Sequence, residues 1–361
     1  MTNPIAAKLF DGRDLFYFDD RGSELPATRK PDSREAGERP PVAQMRLDSL
    51  TGDWISVAAA RQNRAFLPPA HECPLCPTTP GNLSELPDTF NVAVFENKSP
   101  SFGPTLATID DPDYGVEPGL TLGATRDSIG RCEVVVFSPE HTGSLGGQNV
   151  NRVRTVIEAW THRTEHLQQL PGVRQVFPFE NRGQEIGVTL HHPHGQIYSY
   201  PYVTPRTTRL LDSISKFGAN LFEETLKFER ASERVLIASE NFTVYVPFAA
   251  RWPVEIHLLP HRHVQHFGQL TDDERDELAE VYHRVLNGVD KLYPTPTPYI
   301  SAWHQSPMVD GGQNVRMQLQ ITSPRRAADK LKYLAGSEAA MGAWIADVSP
   351  EVAAGNLREV M

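Results

Sequence analysis

His192-Pro193-His194-Gly195-Gln196 sets two imidazoles and a carboxamide within five positions of a strand-like stretch. An apolar approach runs from Val173 to Asn181 and resumes at Gly187 and Val188, and Ile197 to Tyr202 carries the chain out. Alternate side chains of a strand share a face, so His192, His194 and Gln196 are expected along one surface, with Pro193 and Gly195 behind them. Proline fixes its own φ and biases the preceding residue toward extended backbone. Three polar side chains in a row are costly to bury without partners, which argues for chemistry rather than packing. A neutral imidazole can attack phosphorus, and an amide beside it can donate to the phosphoryl oxygens. The two imidazoles are therefore candidate nucleophiles and Gln196 the candidate donor.

The rest of the chain bounds what that site can serve. With 361 residues the protein can bury a large core as one big domain or two smaller ones. Hydrophobic residues make up 39% and charged residues 22%, as in an ordinary globular protein. A formal net charge of -10 argues against a nucleic-acid surface, which needs concentrated Lys and Arg. It leaves room for a small phosphorylated ligand, which a few placed cations can hold. No apolar run reaches membrane-spanning length, and Met1 to Phe10 lacks the basic and apolar regions of a secretory signal. No membrane association is expected.

Two of the three cysteines form Cys73-Pro-Leu-Cys76. In a reducing compartment that spacing reads as a metal site or redox pair, and the protein is expected in the cytoplasm. A closed structural zinc site takes four ligands, so two more must come from elsewhere. His141, at the end of a strand, and His192 can both approach the cysteine pair. One structural zinc on Cys73, Cys76, His141 and His192 would position the strand carrying His194 without itself reacting. His71 is an alternative ligand but is read as solvated, and Cys132 as a small buried hydrophobe.

Residues 20 to 42 are rich in charge, Pro and Gly. Residues 1–42 are accordingly read as an N-terminal arm, partly disordered, followed by a catalytic half at 43–205 and a second half at 206–361. Strands are expected at Trp54–Val57 and Cys132–Phe137. Val150, Val153, Ile157, Trp160 and Leu167 fall at helical spacing ahead of Pro171-Gly172. Thr271 and Glu274 form a T-x-x-E capping box opening a helix with Leu278, Val281, Val285, Val289 and Leu292. Strand-like stretches follow at Tyr299–His304 and Met317–Thr322. E-V-V-V-F-S-P-E-H at 133–141 is echoed by E-I-H-L-L-P-H-R-H at 255–263, so the chain reads as two copies of one strand–helix–strand unit. Where the first copy has His192-x-His194, the second has Gln320-x-Thr322.

Together these pieces resemble the galactose-1-phosphate uridylyltransferase family, a branch of the histidine-triad superfamily, from about Met45 onward. The motifs are Leu50 to Ile55 followed by Arg61 and Arg64, Phe95-Glu96-Asn97-Lys98, and Phe137 to His141. Phe179-Glu180-Asn181-Arg182-Gly183, Gly187, Thr189 and His192 to Gln196 complete them. The resemblance implies an α+β fold of duplicated histidine-triad-like units, with an antiparallel sheet forming a half-barrel flanked by helices. It implies ping-pong transfer of UMP from UDP-glucose to galactose 1-phosphate through a uridylyl-His194, a step of galactose metabolism. Arg61 and Arg64 would then neutralise phosphate charge. Asn97, Lys98, Phe179, Asn181, Gly187 and Thr189 would line the nucleotide. Lys332, Tyr333 and Glu338 would meet the hexose phosphate from a neighbouring subunit, implying a homodimer with its active site at the interface. The His194 ring is expected to donate its other N–H to a main-chain carbonyl.

The chain also departs from the family pattern. Of the three second-half histidines that hold a second metal in one branch, only His304 is present; Gln320 and Thr322 replace the others, and the Glu position falls near Leu210. No second metal is expected, because Gln and Thr oxygens are poor substitutes for imidazole. Ser337 and Trp344 stand where that branch has Tyr and Gln. Two other functions use the same residues: an adenylyl-transferring relative such as an ADP-sugar or dinucleotide phosphorylase, and an inactive nucleotide-binding zinc protein.

Overall fold

Val92-Ala-Val-Phe-Glu96 is buried at every position, whereas His194 to Tyr200 alternates between half-buried and buried. The difference follows from what covers each side of a single large sheet. The computed structural model describes residues 4–35, 41–59, 62, 66–103 and 121–361.

The strands are, in chain order, β1 (Ile5–Lys8), β2 (Asp14–Phe18), β3 (Gln44–Leu47), β4 (Trp54–Val57), β5 (Val92–Glu96), β6 (Thr125–Asp127), β7 (Arg131–Val136), β8 (Gln175–Arg182) and β9 (His194–Tyr200). The later ones are β10 (Val235–Ala238), β11 (Phe242–Tyr245), β12 (Val254–Pro260), β13 (Tyr299–His304), β14 (Gln318–Ser323), β15 (Arg325–Ala327) and β16 (Lys330–Leu331). The helices are α1 (Val150–Gln168), α2 (Pro205–Phe217), α3 (Leu221–Arg230), α4 (Asp272–Lys291) and α5 (Pro350–Val360).

Eleven strands form one sheet in the order β1-β2-β5-β7-β9-β8-β13-β14-β12-β11-β10. Every neighbouring pair is antiparallel. Strands β3, β4 and β6 make a separate small sheet, and β15 pairs with β16. The fold is thus α+β around a large antiparallel sheet whose ends do not meet. The first half runs β5, β7, α1, β8, β9 and the second runs β11, β12, α4, β13, β14. In the sheet the order β5-β7-β9-β8 meets its reverse, β13-β14-β12-β11, at the β8–β13 pair. The duplication read from the sequence therefore appears as two like units related by a pseudo-twofold axis at that junction.

Helices α1 and α4 cover one face. Val153, Ile157 and Trp160 of α1 and Leu278, Val285 and Val289 of α4 join Val135, Ile197, Ile256 and Leu319 of the sheet in the main core. Asn149 caps α1 by accepting the Arg152 N–H at 2.8 Å. At α4 the capping box closes in both directions: Thr271 Oγ1 accepts from Glu274 N and Glu274 Oε2 accepts from Thr271 N.

The opposite face is covered differently in each half. Over β5 and β7 lie Leu9, Cys73, Leu75, Leu86 and Phe90 against Phe95, Val134 and Val136. Over β11 and β12 lie Ile214, Phe222 and Leu226 of α2 and α3 against Tyr245 and Leu259. The lane between them, on β9 and β8, is left for the site.

Two sequence readings change here. Strands β1 and β2 fall within the stretch 1–42 expected as an arm, yet they extend the main sheet, with Leu15 opposite Phe95 and Phe18 opposite Val92. The alternation of buried Leu15 and Tyr17 carries that pairing, and Arg13 is buried between Asp11 and Glu85. The repeat is also one residue out of register. Glu133 faces α1, where Arg163 grips both its oxygens at 2.8 and 2.9 Å. Glu255 alternates with Ile256 and Leu258, which enter the main core, so it faces the other way.

Candidate active site and metal centre

Cys73 closes a short 3-10 turn at Ala70–Glu72, and Cys76 follows it within the same covering segment. His141 lies beyond the end of β7, and His192 just ahead of β9, which opens at His194. The potential ligand atoms of all four residues lie within 4.8 Å of one another. Cys76 Sγ is 3.5 Å from the Nδ1 atoms of both His141 and His192, and Cys73 Sγ is 3.7 Å from His192 Nδ1. Zn–S bonds of ~2.3 Å and Zn–N bonds of ~2.0 Å in a tetrahedron set ligand atoms roughly 3.5 Å apart, so the donor set has the size and softness of a metal site. His192 Nε2–H donates to the Ser138 carbonyl at 2.8 Å, turning the Nδ1 lone pair toward the sulfurs. Burial pushes the His192 imidazole down to about 4, which keeps it neutral. Burial and then Cys73 push the Cys76 thiol up to about 12. A cation is what would hold both sulfurs as thiolates. His71 stays outside, exposed beside Glu72. Cys132 is buried in the sheet.

The same main-chain segment orients His194. Its Nδ1–H donates to the His192 carbonyl at 2.7 Å, so Nε2 carries the lone pair. His194 and Gln196 lie on one face of β9, with Gly195 turned toward the core. A Cβ on Gly195 would sit 2.7 Å from Phe137 Cζ and 2.9 Å from the Phe179 carbonyl, so this register admits only glycine. His194 lines a cavity of about 220 Å³ with Asn181, Gly183, Val188 and His192.

Other expected residues fall at varying distance. Phe179 is directly opposite Gln196 and stacks on Phe177 at 5.1 Å. Gly187 has φ +83, a left-handed turn suited to glycine. The Thr189 carbonyl accepts from Leu67 N at 2.8 Å, tying the 187–191 loop to the 66–67 segment. Arg61 and Arg64 lie outside the described residues. Asn97 and Lys98 follow β5, and Asn97 N bonds the carbonyl of Cys132, which pairs with Tyr198. They are not brought against His194: four residues of β9 separate that level from it, ~13 Å at the strand rise.

Lys332, Tyr333 and Glu338 are also not brought to His194 within one chain. Lys332 Nζ pairs with Glu338 at 3.4 Å and donates to the Arg251 carbonyl at 3.1 Å, against the second half. Tyr333 is exposed. The sequence reading missed the Ser138 carbonyl that orients His192; its only signal is Pro139, whose preceding residue is held extended. It also missed Phe137 and Phe177, which read as core.

A family model for the N-terminal domain of galactose-1-phosphate uridyl transferase matches residues 35–204, and one for its C-terminal domain matches 202–361. A galactose-1-phosphate uridylyltransferase of Streptomyces lividans is 37% identical, covering 98% of this chain and 97% of its own. One from Thermotoga maritima is 35% identical over 88% and 98%. A solved uridylyltransferase superposes with a TM-score of 0.74 at 28% identity, covering 88% of this chain and 98% of that one. An Arabidopsis thaliana ADP-glucose phosphorylase with bound ADP-glucose gives 0.65 at 25%, over 89% and 99%. Among the described residues no helix is long and apolar enough to cross a membrane. Matched in both halves and along nearly its whole length, the chain belongs to the galactose-1-phosphate uridylyltransferase family.

Proposed function

We propose that this protein is a transferase that moves UMP from UDP-glucose to galactose 1-phosphate by a ping-pong reaction on His194. Nε2 attacks the α-phosphorus, a P–N bond forms, and the P–O bond to glucose 1-phosphate breaks. The phosphate oxygen of galactose 1-phosphate then attacks the same phosphorus, the P–N bond breaks, and UDP-galactose leaves with His194 neutral again. Each half-reaction exchanges one sugar phosphate for another, so the histidine adduct is a balanced relay. The observation that carries this reading is the His194 Nδ1–H···O=C bond to His192, which fixes the reactive tautomer beside Gln196. Gln196 would donate to non-bridging oxygens as charge shifts in the transition state.

Cys73, Cys76, His141 and His192 would hold one structural zinc, whose contribution is to fix His192 and hence the carbonyl that orients His194. Phe179, Asn181, Gly187 and Thr189 would border the nucleotide near the phosphate, and Asn97 and Lys98 its far end. Arg61 and Arg64 would meet phosphate. Lys332, Tyr333 and Glu338 would serve the hexose phosphate of a neighbouring chain in a homodimer. Three cysteines outside any disulfide suit a reducing cytoplasm.

The test is intact-protein mass spectrometry after mixing with UDP-glucose alone. A uridylyl gain that is absent in His194→Ala is expected, with label exchange between UDP-glucose and glucose 1-phosphate. No gain and no exchange would end this reading. An adduct formed from ADP-glucose and not from UDP-glucose would favour the adenylyl-transferring alternative, the function named for the Arabidopsis neighbour. Unchanged nucleotide binding without turnover would favour an inactive binding protein.

A further inference from the structure

On the same sheet face as His194, but in the second half, β11 to β14 and helices α2 and α3 enclose a cavity of about 610 Å³. This is the size of a small-molecule site. None of His192 to Gln196 lines it. Phe177 and Phe179 stand between the two places: Phe179 is opposite Gln196, and Phe177 packs on His304 at 5.4 Å.

The charge on this cavity is one-sided. Arg206 and Arg209, one turn apart on α2, and Arg251 all border it. Two acids border it as well, and both are already engaged. Glu229 pairs with Arg234 at 2.6 Å and accepts from Phe248 N at 2.9 Å. Glu255 pairs with His257 at 3.0 Å and accepts from Arg251 N at 2.6 Å. Among the described residues no carboxylate forms an ion pair with Arg206, Arg209 or Arg251. Arg206 is exposed as a whole residue, but its guanidinium reaches in to Gln320 Oε1. Burial, and then repulsion from Arg251, hold it below the usual guanidinium range, with Glu255 opposing the shift. Arg251 also lies 5.8 Å from the ring centre of Trp344, which borders the same cavity. Three guanidinium groups not held in an ion pair among the described residues, beside an indole face, suit a phosphate on a small organic body.

We infer that this second-half cavity is a separate binding site for a small organic phosphate, held by Arg206, Arg209 and Arg251 with Trp344 against its organic part. The site lies across the pseudo-twofold axis from the nucleophile, and Thr322 stands in the second half where the first has His194, so the nucleophile is not repeated there. It binds without reacting, as an effector site does.

The experiment uses the whole protein with inorganic pyrophosphate as probe. Arginines are modified with phenylglyoxal, with and without pyrophosphate, and read by peptide mass spectrometry. Protection of Arg206 and Arg251 by severalfold or more is expected. Equilibrium dialysis should show that Arg206→Gln/Arg251→Gln and the cavity-filling Ser213→Trp each lose one equivalent of bound pyrophosphate, or bind it about tenfold more weakly, while thermal unfolding stays that of a folded protein. Unprotected arginines, unchanged stoichiometry in both variants, or equal protection by chloride at matched ionic strength would each overturn the assignment. The readout does not pass through His194, so it stands or falls apart from the proposed uridylyl transfer.

Discussion

Gly195 and Gly187 separate two reasons for a glycine in one site. At Gly195 the obstacle is space, since a Cβ would meet Phe137 Cζ at 2.7 Å and the Phe179 carbonyl at 2.9 Å. At Gly187 nothing lies within 4 Å, and the obstacle is its φ of +83. Gly195→Ala should therefore push β9 away from its neighbours, costing about 1–3 kcal/mol of stability and at least a hundredfold in label exchange, because His194 moves with the strand. Gly187→Ala should cost about 1–2 kcal/mol of backbone strain and leave β9 in place. Urea unfolding with the exchange assay distinguishes them; near-native exchange in Gly195→Ala would mean that β9 tolerates the shift. The chemistry at this scale was readable, because imidazole, thiol and amide declare themselves by type and spacing. The need for glycine at 195 was not, because it depends on Phe137, which reads as an ordinary core residue.

Elements built from local signals were legible, and those built from distant partners were not. The T-x-x-E box at Thr271 is such a local signal, and both of its hydrogen bonds are present. Thr271→Ala should lower stability by about 1 kcal/mol, seen as a lower urea midpoint with an unchanged slope. The strand pairs β1–β2 and β2–β5 left no such trace, because a short edge strand takes its meaning from a neighbour elsewhere in the chain. The Glu133–Glu255 match failed similarly, since a one-residue slip reverses the face and only a partner such as Arg163 reveals it. The start of β9 tests how far one element leans on another. Phe137 N–H donates at 3.2 Å to the carbonyl of Pro193, the residue that joins His192 of the Cys-His cluster to His194. Cys73→Ser should abolish stoichiometric metal content, speed hydrogen exchange at Phe137 and lower activity about 10–100-fold, the range for groups that orient a reactive residue from behind it. Unaltered exchange at Phe137 in a metal-free protein would show that β9 is held by the sheet alone.

At the scale of the whole molecule, the two halves are joined where β8 meets β13, and the junction carries an unusual charge. Glu180 of β8 is buried and accepts from the Tyr299 hydroxyl of β13 at 3.1 Å. Arg182, two residues along β8, is bound instead to Asp290 of α4. Burial raises the Glu180 carboxyl to about 7; Arg182 and the Tyr299 hydrogen bond oppose the shift, and Asp290 adds to it. In an unfolded chain the same group titrates near 4.5. The folded state therefore holds the proton more tightly, so this contribution to stability is complete below about pH 4.5 and is lost as pH rises through about 7. Over that window Glu180 should pull the unfolding free energy down by up to about 1.4 kcal/mol per pH unit. Glu180→Gln keeps an acceptor for Tyr299 and has no proton to lose. Its stability relative to the parent should therefore improve in urea titrations from about pH 5 to about pH 7 and level off toward pH 8. A difference that stays constant across those titrations would mean that Glu180 is already ionised in the folded protein, with Arg182 rather than a proton neutralising the seam between the halves.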